Sequence, residues 1–458
     1  MVALLVVLVL AQAPTPIPPP PTPVQAGPEQ PGPEQPGSGE PDSDEPQAVP
    51  QLPVATLPPA THELFERIKR RVAQVRIIER RSGTKSSIGS AFFVSADGHA
   101  ITNYHVVSDL VMHPEDYTAE LVRDGQEPLP VKLLDVDVVD DLAVIQLDQK
   151  VSDFFQLLDK APPQGTRLFA MGNPRDLGIT IVEGTYNGLV QDALYDRVHF
   201  TGSINPGMSG GPTLTGEGRV VGVNVATMGN QVGFLVPVDH ARALLTRALA
   251  SKPADSEPAA LTASVRAQLM DHQQRITERL LNTPLPQQSL GPYRVPGRWL
   301  PFLKCWGDSP HDPEALYTVT NYQCSSEEDL FLSSEHRTGA VAYTHQHLSS
   351  TKLGALRFSA LYSAFFAGDP SVVEATREDV TNFRCHSEFV STGGLTLRAA
   401  LCLRAYKKFP GLYDLVLRAA ALPTGNQGVD TSLTLAGFSP DNAQKLARHY
   451  LEALSWTK

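Results

Sequence analysis

Between residues 72 and 236 the chain alternates short apolar runs with polar turns. β-branched, apolar stretches at 72–78, 89–94, 100–103, 120–122, 131–137 and 142–147 are followed by others at 167–171, 180–183, 188–190, 197–202, 220–225 and 233–236. Gly, Pro, Asp and Asn separate them, so each is bounded by turn chemistry. About a dozen short strands at this spacing predict an all-β unit, and the count suits a pair of six-stranded barrels. A helix is predicted at 63–71, where Leu64, Ile68 and Val72 share a face, and another at 241–250.

The pattern changes after residue 250. Leu261, Val265, Leu269, Ile276 and Leu280 recur at helical spacing within 259–281. Residues 383–390 and 395–405 flank Ser391-Thr392-Gly393-Gly394 and read as a hairpin, with Leu395, Leu397, Ala399, Leu401 and Leu403 along one face. Ser439-Pro440 marks a helix start, with Ser as N-cap and Pro in the first turn. Ala443, Leu446, Ala447, Tyr450 and Leu454 follow on one face. The predicted organisation is a signal peptide or short anchor at 1–13 and a Pro-rich acidic disordered linker at 14–60. A β-barrel unit follows at 62–250, then a linker at 251–260 and a separate α+β domain at 261–458.

Composition changes this picture only at the edges. A net charge of −11 over 458 residues argues against nucleic acid as a partner, which needs a basic face. The apolar run at 1–10 has the length of a signal-peptide core and is too short to span a bilayer. The expected location is exported: periplasm, cell envelope or extracellular. All four cysteines, Cys305, Cys324, Cys385 and Cys402, lie after residue 300 and lack zinc-knuckle spacing. In an exported chain they read as two disulfides. Cys385 and Cys402 fall in cross-strand register on the hairpin, which pairs them and leaves Cys305 with Cys324. No metal or cofactor is expected.

Three segments carry candidate chemistry. His105 follows a strand in Thr102-Asn103-Tyr104-His105-Val106-Val107, Asp141 heads a strand in Asp141-Leu142-Ala143-Val144-Ile145, and Ser209 sits in Gly207-Met208-Ser209-Gly210-Gly211-Pro212. Singly, each is a common structural feature. Together they supply what acyl transfer by a hydroxyl requires: a nucleophile, a base, a carboxylate to hold the base, and amides for the oxyanion. The backbone N–H groups of Gly207 and Ser209 are the candidate oxyanion donors. Asp140 competes with Asp141 for the third role.

These motifs, with Gly89-Ser90-Ala91-Phe92-Phe93-Val94, Ala170-Met171-Gly172-Asn173-Pro174 and Gly233-Phe234-Leu235-Val236-Pro237, resemble the protease domain of HtrA-type (DegP-like) serine proteases. The resemblance covers roughly residues 72–245 and implies a chymotrypsin-like double barrel. It also implies Ser209 as nucleophile, His105 as general base and acid, and Asp141 as the orienting carboxylate. It prefers Asp141 to Asp140 because Asp141 directly precedes Leu-Ala-Val-Ile. Met208 stands where digestive trypsin relatives carry the Asp that pairs with a new N-terminus, so zymogen cleavage is not expected. Ser203 stands where trypsin carries the Asp that selects basic residues. A pocket of Ser203, Val223, Val225 and Ala226 is therefore expected to admit small or medium aliphatic residues. The implied function is an exported serine endopeptidase acting on unfolded or specific envelope polypeptides. No PDZ-type carboxylate loop is found after residue 250, which weakens the carry-over of the family's peptide-sensing regulation and trimeric assembly; a homo-oligomer is one partner arrangement considered, and an uncleaved N-terminal segment would be a membrane tether. The competing readings are a non-catalytic or chaperone-like binding protein on a protease scaffold, with residues 261–458 as the recognition element.

Overall fold

The computed structural model describes residues 61–457 except 124, 228–230, 311 and 367–373, and only the backbone of 226–227. The signal-peptide and linker expectations at 1–13 and 14–60 lie outside the described residues.

Six strands close the first antiparallel barrel: β1 (Val72–Glu79), β2 (Thr84–Phe93), β3 (His99–Thr102), β4 (Tyr117–Val122), β5 (Leu129–Asp137) and β6 (Leu142–Leu147), in the order β1-β2-β3-β6-β5-β4. The second barrel contains β7 (Arg167–Gly172), β8 (Thr180–Leu189), β9 (Val198–Phe200), β10 (Pro212–Leu214), β11 (Val220–Thr227) and β12 (Gly233–Pro237), in the order β10-β11-β12-β9-β8-β7. The fold is thus the pair of six-stranded barrels that the strand pattern predicts, in the chymotrypsin-like form that the resemblance implies.

Side-chain alternation lets one strand serve two cores. Ala91 and Phe93 of β2 point into the first barrel, whereas Phe92 between them enters a separate cluster with Ile101, Val144, Met171 and Val236 from both barrels. Helix α1 (Thr61–Ile68) adds Leu64 and Ile68 to that cluster. A short helix, α2 (Tyr104–Met112), follows β3, and α3 (Val238–Ala250) closes the second barrel. The strand pattern did not predict α2. Its sequence, YHVVSDLVM, is nearly all apolar, and its packing face is shared by the first barrel and by residues beyond 250.

Helix α4 (Pro258–Asn282) starts with Pro in its first turn and buries Leu261, Val265, Leu269, Ile276 and Leu280. The last of these pack beneath a seven-stranded antiparallel sheet. Before and within that sheet come β13 (Gln287–Leu290), β14 (Tyr293–Pro296), β15 (Lys304–Asp308), β16 (Thr318–Ser325), β17 (Leu330–Ser333), β18 (His336–Thr338) and β19 (Val341–Ser349). After α5 (Ala355–Phe366) follow β20 (Arg384–Thr392), β21 (Leu395–Ala405), β22 (Tyr413–Ala421) and β23 (Gln427–Phe438). Helix α6 (Pro440–Glu452) and β24 (Ser455–Trp456) end the described chain. The large sheet runs β15-β16-β19-β23-β22-β21-β20, while β17 and β18 form their own hairpin.

Both edges of that sheet are stapled. Cys305 of β15 is disulfide-bonded to its cross-strand partner Cys324, and Cys385 of β20 to its partner Cys402. An edge strand has neighbours on one side only, so a cross-link there holds what hydrogen bonding holds least well. The Ser439 hydroxyl caps α6 by accepting from the Asn442 N–H at 3.3 Å.

The two halves are not simply tethered. Leu261, Val265 and Leu269 of α4, together with Leu330 and Leu332 of β17, share one cluster with Val75, Val107 and Val136 of the first barrel. The Tyr104 hydroxyl of α2 donates to the Leu332 carbonyl at 3.1 Å. Among the described residues, no helix is long and apolar enough to cross a membrane.

Candidate active site

Strand β3 ends at Thr102, and Asn103 is the extended residue before α2, so His105 stands in the first turn of that helix. Asp141 heads β6, beside β3 in the barrel, with φ of 61°. Asp tolerates this left-handed conformation better than most residues. The turn aims the carboxylate back at α2. One oxygen, Oδ1, accepts from the His105 backbone N–H at 2.8 Å, and Oδ2 lies 2.6 Å from His105 Nδ1. With an acceptor at Nδ1, the imidazole keeps its proton there and leaves Nε2 free to take another. The Asp141 carbonyl accepts from Asn103 Nδ2 at 2.7 Å, which clamps the two segments together. Asn103 was not singled out as a site residue; its place two residues before His105 was the only sequence signal.

Asp140 points elsewhere. Its carboxylate lies 2.5 Å from Nδ1 of His240 on α3, whose Nε2 is 3.3 Å from Asp196. The hydrogen bond from Asp140, opposed by partial burial, holds the His240 imidazole above its ordinary pKa. Adjacent aspartates therefore serve two different histidines, and only Asp141 reaches His105.

Ser209 sits in the turn that enters β10. Gly207 has φ of 95°, and a Cβ there would lie 2.5 Å from the Asn173 carbonyl oxygen. This position needs glycine on both counts. The turn is fixed on every side. Ser90 Oγ donates to the Gly207 carbonyl at 2.7 Å, the Ser90 N–H donates to the Ser209 carbonyl at 2.8 Å, and Asn224 Nδ2 donates to the Met171 and Met208 carbonyls at 2.8 and 3.2 Å. Met208 is wholly buried in the second barrel. Among the described residues, the N–H groups of Gly207 and Ser209 have no acceptor. Ser209 Oγ lies 3.5 Å from the Val225 carbonyl oxygen and makes no hydrogen bond to His105.

Of the other expected pocket residues, Val225 lines a cavity of about 320 Å³ beside Asp141, whereas Val223 is fully enclosed in the core between the barrels. The two lie on one strand, but the register of β11 shifts between Asn224 and Ala226, and Val225 sits at the edge of that core, partly buried, rather than within it. Ser203 is half-buried and does not line that cavity. The side chain of Ala226 lies outside the described residues. One neighbour had no signal in the sequence. Phe331 of β17 places its ring 5.1 Å from the His105 ring, centroid to centroid. Away from the site, His113, Glu115 and Asp116 bring possible ligand atoms within 4.8 Å of one another on the surface after α2.

The paired barrels define the class. Residues 89–223 match the family model described as trypsin-like peptidase domain. The chain is 36% identical over 169 residues to a probable periplasmic serine endoprotease, DegP-like, of Bartonella henselae, covering 34% of this chain and 32% of the relative. A relative of the same name in Rhizobium meliloti is 35% identical over 165 residues, covering 34% and 32%. The chain thus spans about a third of the length of the curated relatives it matches. A solved serine endoprotease from Yersinia pestis is 23% identical with a TM-score of 0.37, covering 42% of this chain and 68% of that one. The first half of the chain, which holds the double barrel, is thus similar to trypsin-like peptidase domains and to DegP-like serine endoproteases.

Proposed function

We propose that the protein is an exported serine endopeptidase that cleaves polypeptides through an acyl-enzyme at Ser209. The observation that carries this reading is the Asp141 carboxylate 2.6 Å from His105 Nδ1, beside a glycine turn with two unengaged amides. In the proposed reaction His105 Nε2 takes the Ser209 proton as Oγ bonds to the scissile carbonyl carbon. The Gly207 and Ser209 amides hold the resulting oxyanion. His105 then gives its proton to the leaving amine as the C–N bond breaks. A water activated by the same base releases the acid product and restores Ser209. Asp141 keeps the imidazole in the required tautomer and balances its transient charge. The Ser209 hydroxyl must swing from the Val225 carbonyl toward His105 for this. Catalytic hydrogen bonds are commonly long or misaligned before substrate binds.

The absence of an anionic side chain at Ser203 supports cleavage after small or medium aliphatic residues rather than Lys or Arg. The relatives' name, periplasmic, and the two disulfides support an oxidising, exported location. Residues 62–250 would carry the chemistry, with the later region attached through their shared core.

The test is labelling of the full chain with a fluorophosphonate probe. Labelling is expected in the parent and lost in Ser209→Ala and His105→Ala. Labelling that is absent, or that persists in Ser209→Ala, overturns the proposal.

A further inference from the structure

The cavity beside Asp141 is not built by the barrels alone. Val138, Val139, Val225 and Phe234 form one wall, and Phe302 and Phe331 from beyond residue 250 form another. We propose that this cavity is a subsite for a large apolar side chain of the polypeptide substrate, with Phe331 as its specificity-determining residue. The proposal rests on the serine endopeptidase reading above and adds a role for the C-terminal region in choosing substrates.

Its place indicates which substrate residue it serves. Asp141 and Val225 line it, and Val225 presents the carbonyl that Ser209 Oγ approaches. Ser203, expected at the pocket for the cleaved residue, does not. Neighbouring side chains of an extended peptide point in opposite directions, so the cleaved residue and the one before it need different pockets. We assign the cavity to the residue immediately before the cleaved one.

The lining chemistry fits an apolar occupant. Three of the carboxylates in the lining are already engaged. Glu328 accepts from the Leu194 and Tyr195 N–H groups at 3.1 and 3.3 Å, Asp192 lies 3.5 Å from Arg298, and Asp329 lies 3.7 Å from Arg337. Arg197, Lys304 and Glu327 also line the cavity, but most of its surface is apolar, with valines and phenylalanines prominent. About 320 Å³ is far more space than a methyl group fills, so Leu or Phe gains burial there that Ala and Gly do not.

Phe331 is a wall and not a removable plug. Leu330 and Leu332 on either side are buried in the first barrel's cluster, and the Leu332 carbonyl is held by Tyr104. The Arg337 guanidinium lies 3.3 Å from the centroid of the Phe331 ring. Two neighbours and a cation hold the ring against His105.

The test uses the full chain carrying Ser209→Ala, so that binding is read without cleavage. Calorimetry would measure hexapeptides with Val at the cleaved position and Gly, Ala, Leu or Phe before it. The Leu and Phe peptides are expected to bind roughly 10-fold more tightly than the Gly peptide. Phe331→Ala should erase that ranking, and Phe331→Trp should weaken Phe while sparing Ala, with unfolding curves confirming that both variants fold. An unchanged ranking in both variants overturns the subsite. So does equal tightening of every peptide by Phe331→Ala, since the hairpin would then be an obstruction. Fluorophosphonate labelling of the parent chain reports the serine reading separately: intact labelling without peptide discrimination removes the subsite alone, and discrimination without labelling removes the serine reading alone.

Discussion

His105 of the double barrel and His345 of the region after it use their ring nitrogens in opposite ways. In the barrels, the His105 side chain keeps 19% of its surface exposed, with its carboxylate partner behind it and the Phe331 ring beside it. In the C-terminal region, His345 of β19 is completely enclosed. Its Nε2–H donates to the Pro296 carbonyl at 3.0 Å, and Nδ1 pairs with the Thr431 hydroxyl at 2.8 Å. Both nitrogens are occupied, and burial pushes the imidazole down to about 3. Arg404 and Asp414 form a buried ion pair at 2.7 Å, with the Tyr406 hydroxyl donating to the same carboxylate. His105 keeps one ring nitrogen open for chemistry, whereas His345 spends both on internal order. A histidine therefore reveals little by being buried or paired. What counts is whether one nitrogen still faces open space beside a nucleophile.

The largest expected effect contrasts the two adjacent aspartates. Asp141→Asn should lower kcat/KM on a peptide substrate by on the order of 10⁴ by favouring the wrong His105 tautomer. Asp140→Asn, which disturbs only the partly exposed His240 pair, should change turnover by less than about threefold and stability by under ~1 kcal/mol. Steady-state kinetics on both variants would break the comparison if the losses were equal.

A middle-sized effect belongs to the stapled edge. Replacing Cys385 and Cys402 together by Ser should cost about 2–4 kcal/mol of unfolding free energy, read from denaturant melts. Fluorophosphonate labelling in native buffer should survive, because neither cysteine lies in the cluster that holds α2. Loss of labelling in proportion to loss of stability would show that the edge supports the cleft after all.

The gentlest effect is acid sensitivity. Burial lowers His272 and His336 to about 4, as well as His345 to about 3. The unfolded chain therefore binds more protons than the folded one below about pH 6.5. These histidines contribute their full stability above that value and lose it as pH falls through 6 toward 4. Asp430 acts in the opposite sense, since burial, partly offset by Arg418, raises it to about 6. His345→Gln should flatten the decline in melting temperature between pH 7 and 5, and an unchanged slope would remove His345 from this account.

Much of the barrel half was legible because its constraints are local. Alternating β-branched runs predict strands, and glycines mark the Ser209 turn. Residues 101–107 and 141–145 carry their chemistry on short stretches whose strands are neighbours in any closed barrel of this order. The helix α2 was not legible, since nine mostly apolar residues carry no helical stripe when both sides are packed. In the later half, alternation along 395–405 revealed a hairpin and with it the Cys385–Cys402 register. The seven-strand order was hidden because β19, which carries β16 and β15, pairs with β23 across the 77 residues between Ser349 and Gln427. Val223 shows the same limit at small scale. Its spacing from Val225 implies a shared face, yet Val223 is enclosed in the core and Val225 sits at its edge, where β11 shifts register.

By itself the sequence determined the two-barrel architecture, the trio His105, Asp141 and Ser209 as candidates, and the absence of an anionic side chain at Ser203. These follow from residue type and short-range spacing, which act before the chain has closed on itself. Only the tertiary structure decided which aspartate faces which histidine, because the left-handed turn at Asp141 and the packing of α3 set where each carboxylate points. It alone brought Phe331 to the His105 ring from 226 positions away. That contact comes from the burial of Leu330 and Leu332 against the first barrel, and no local pattern encodes where a distant hairpin finds its hydrophobic partner.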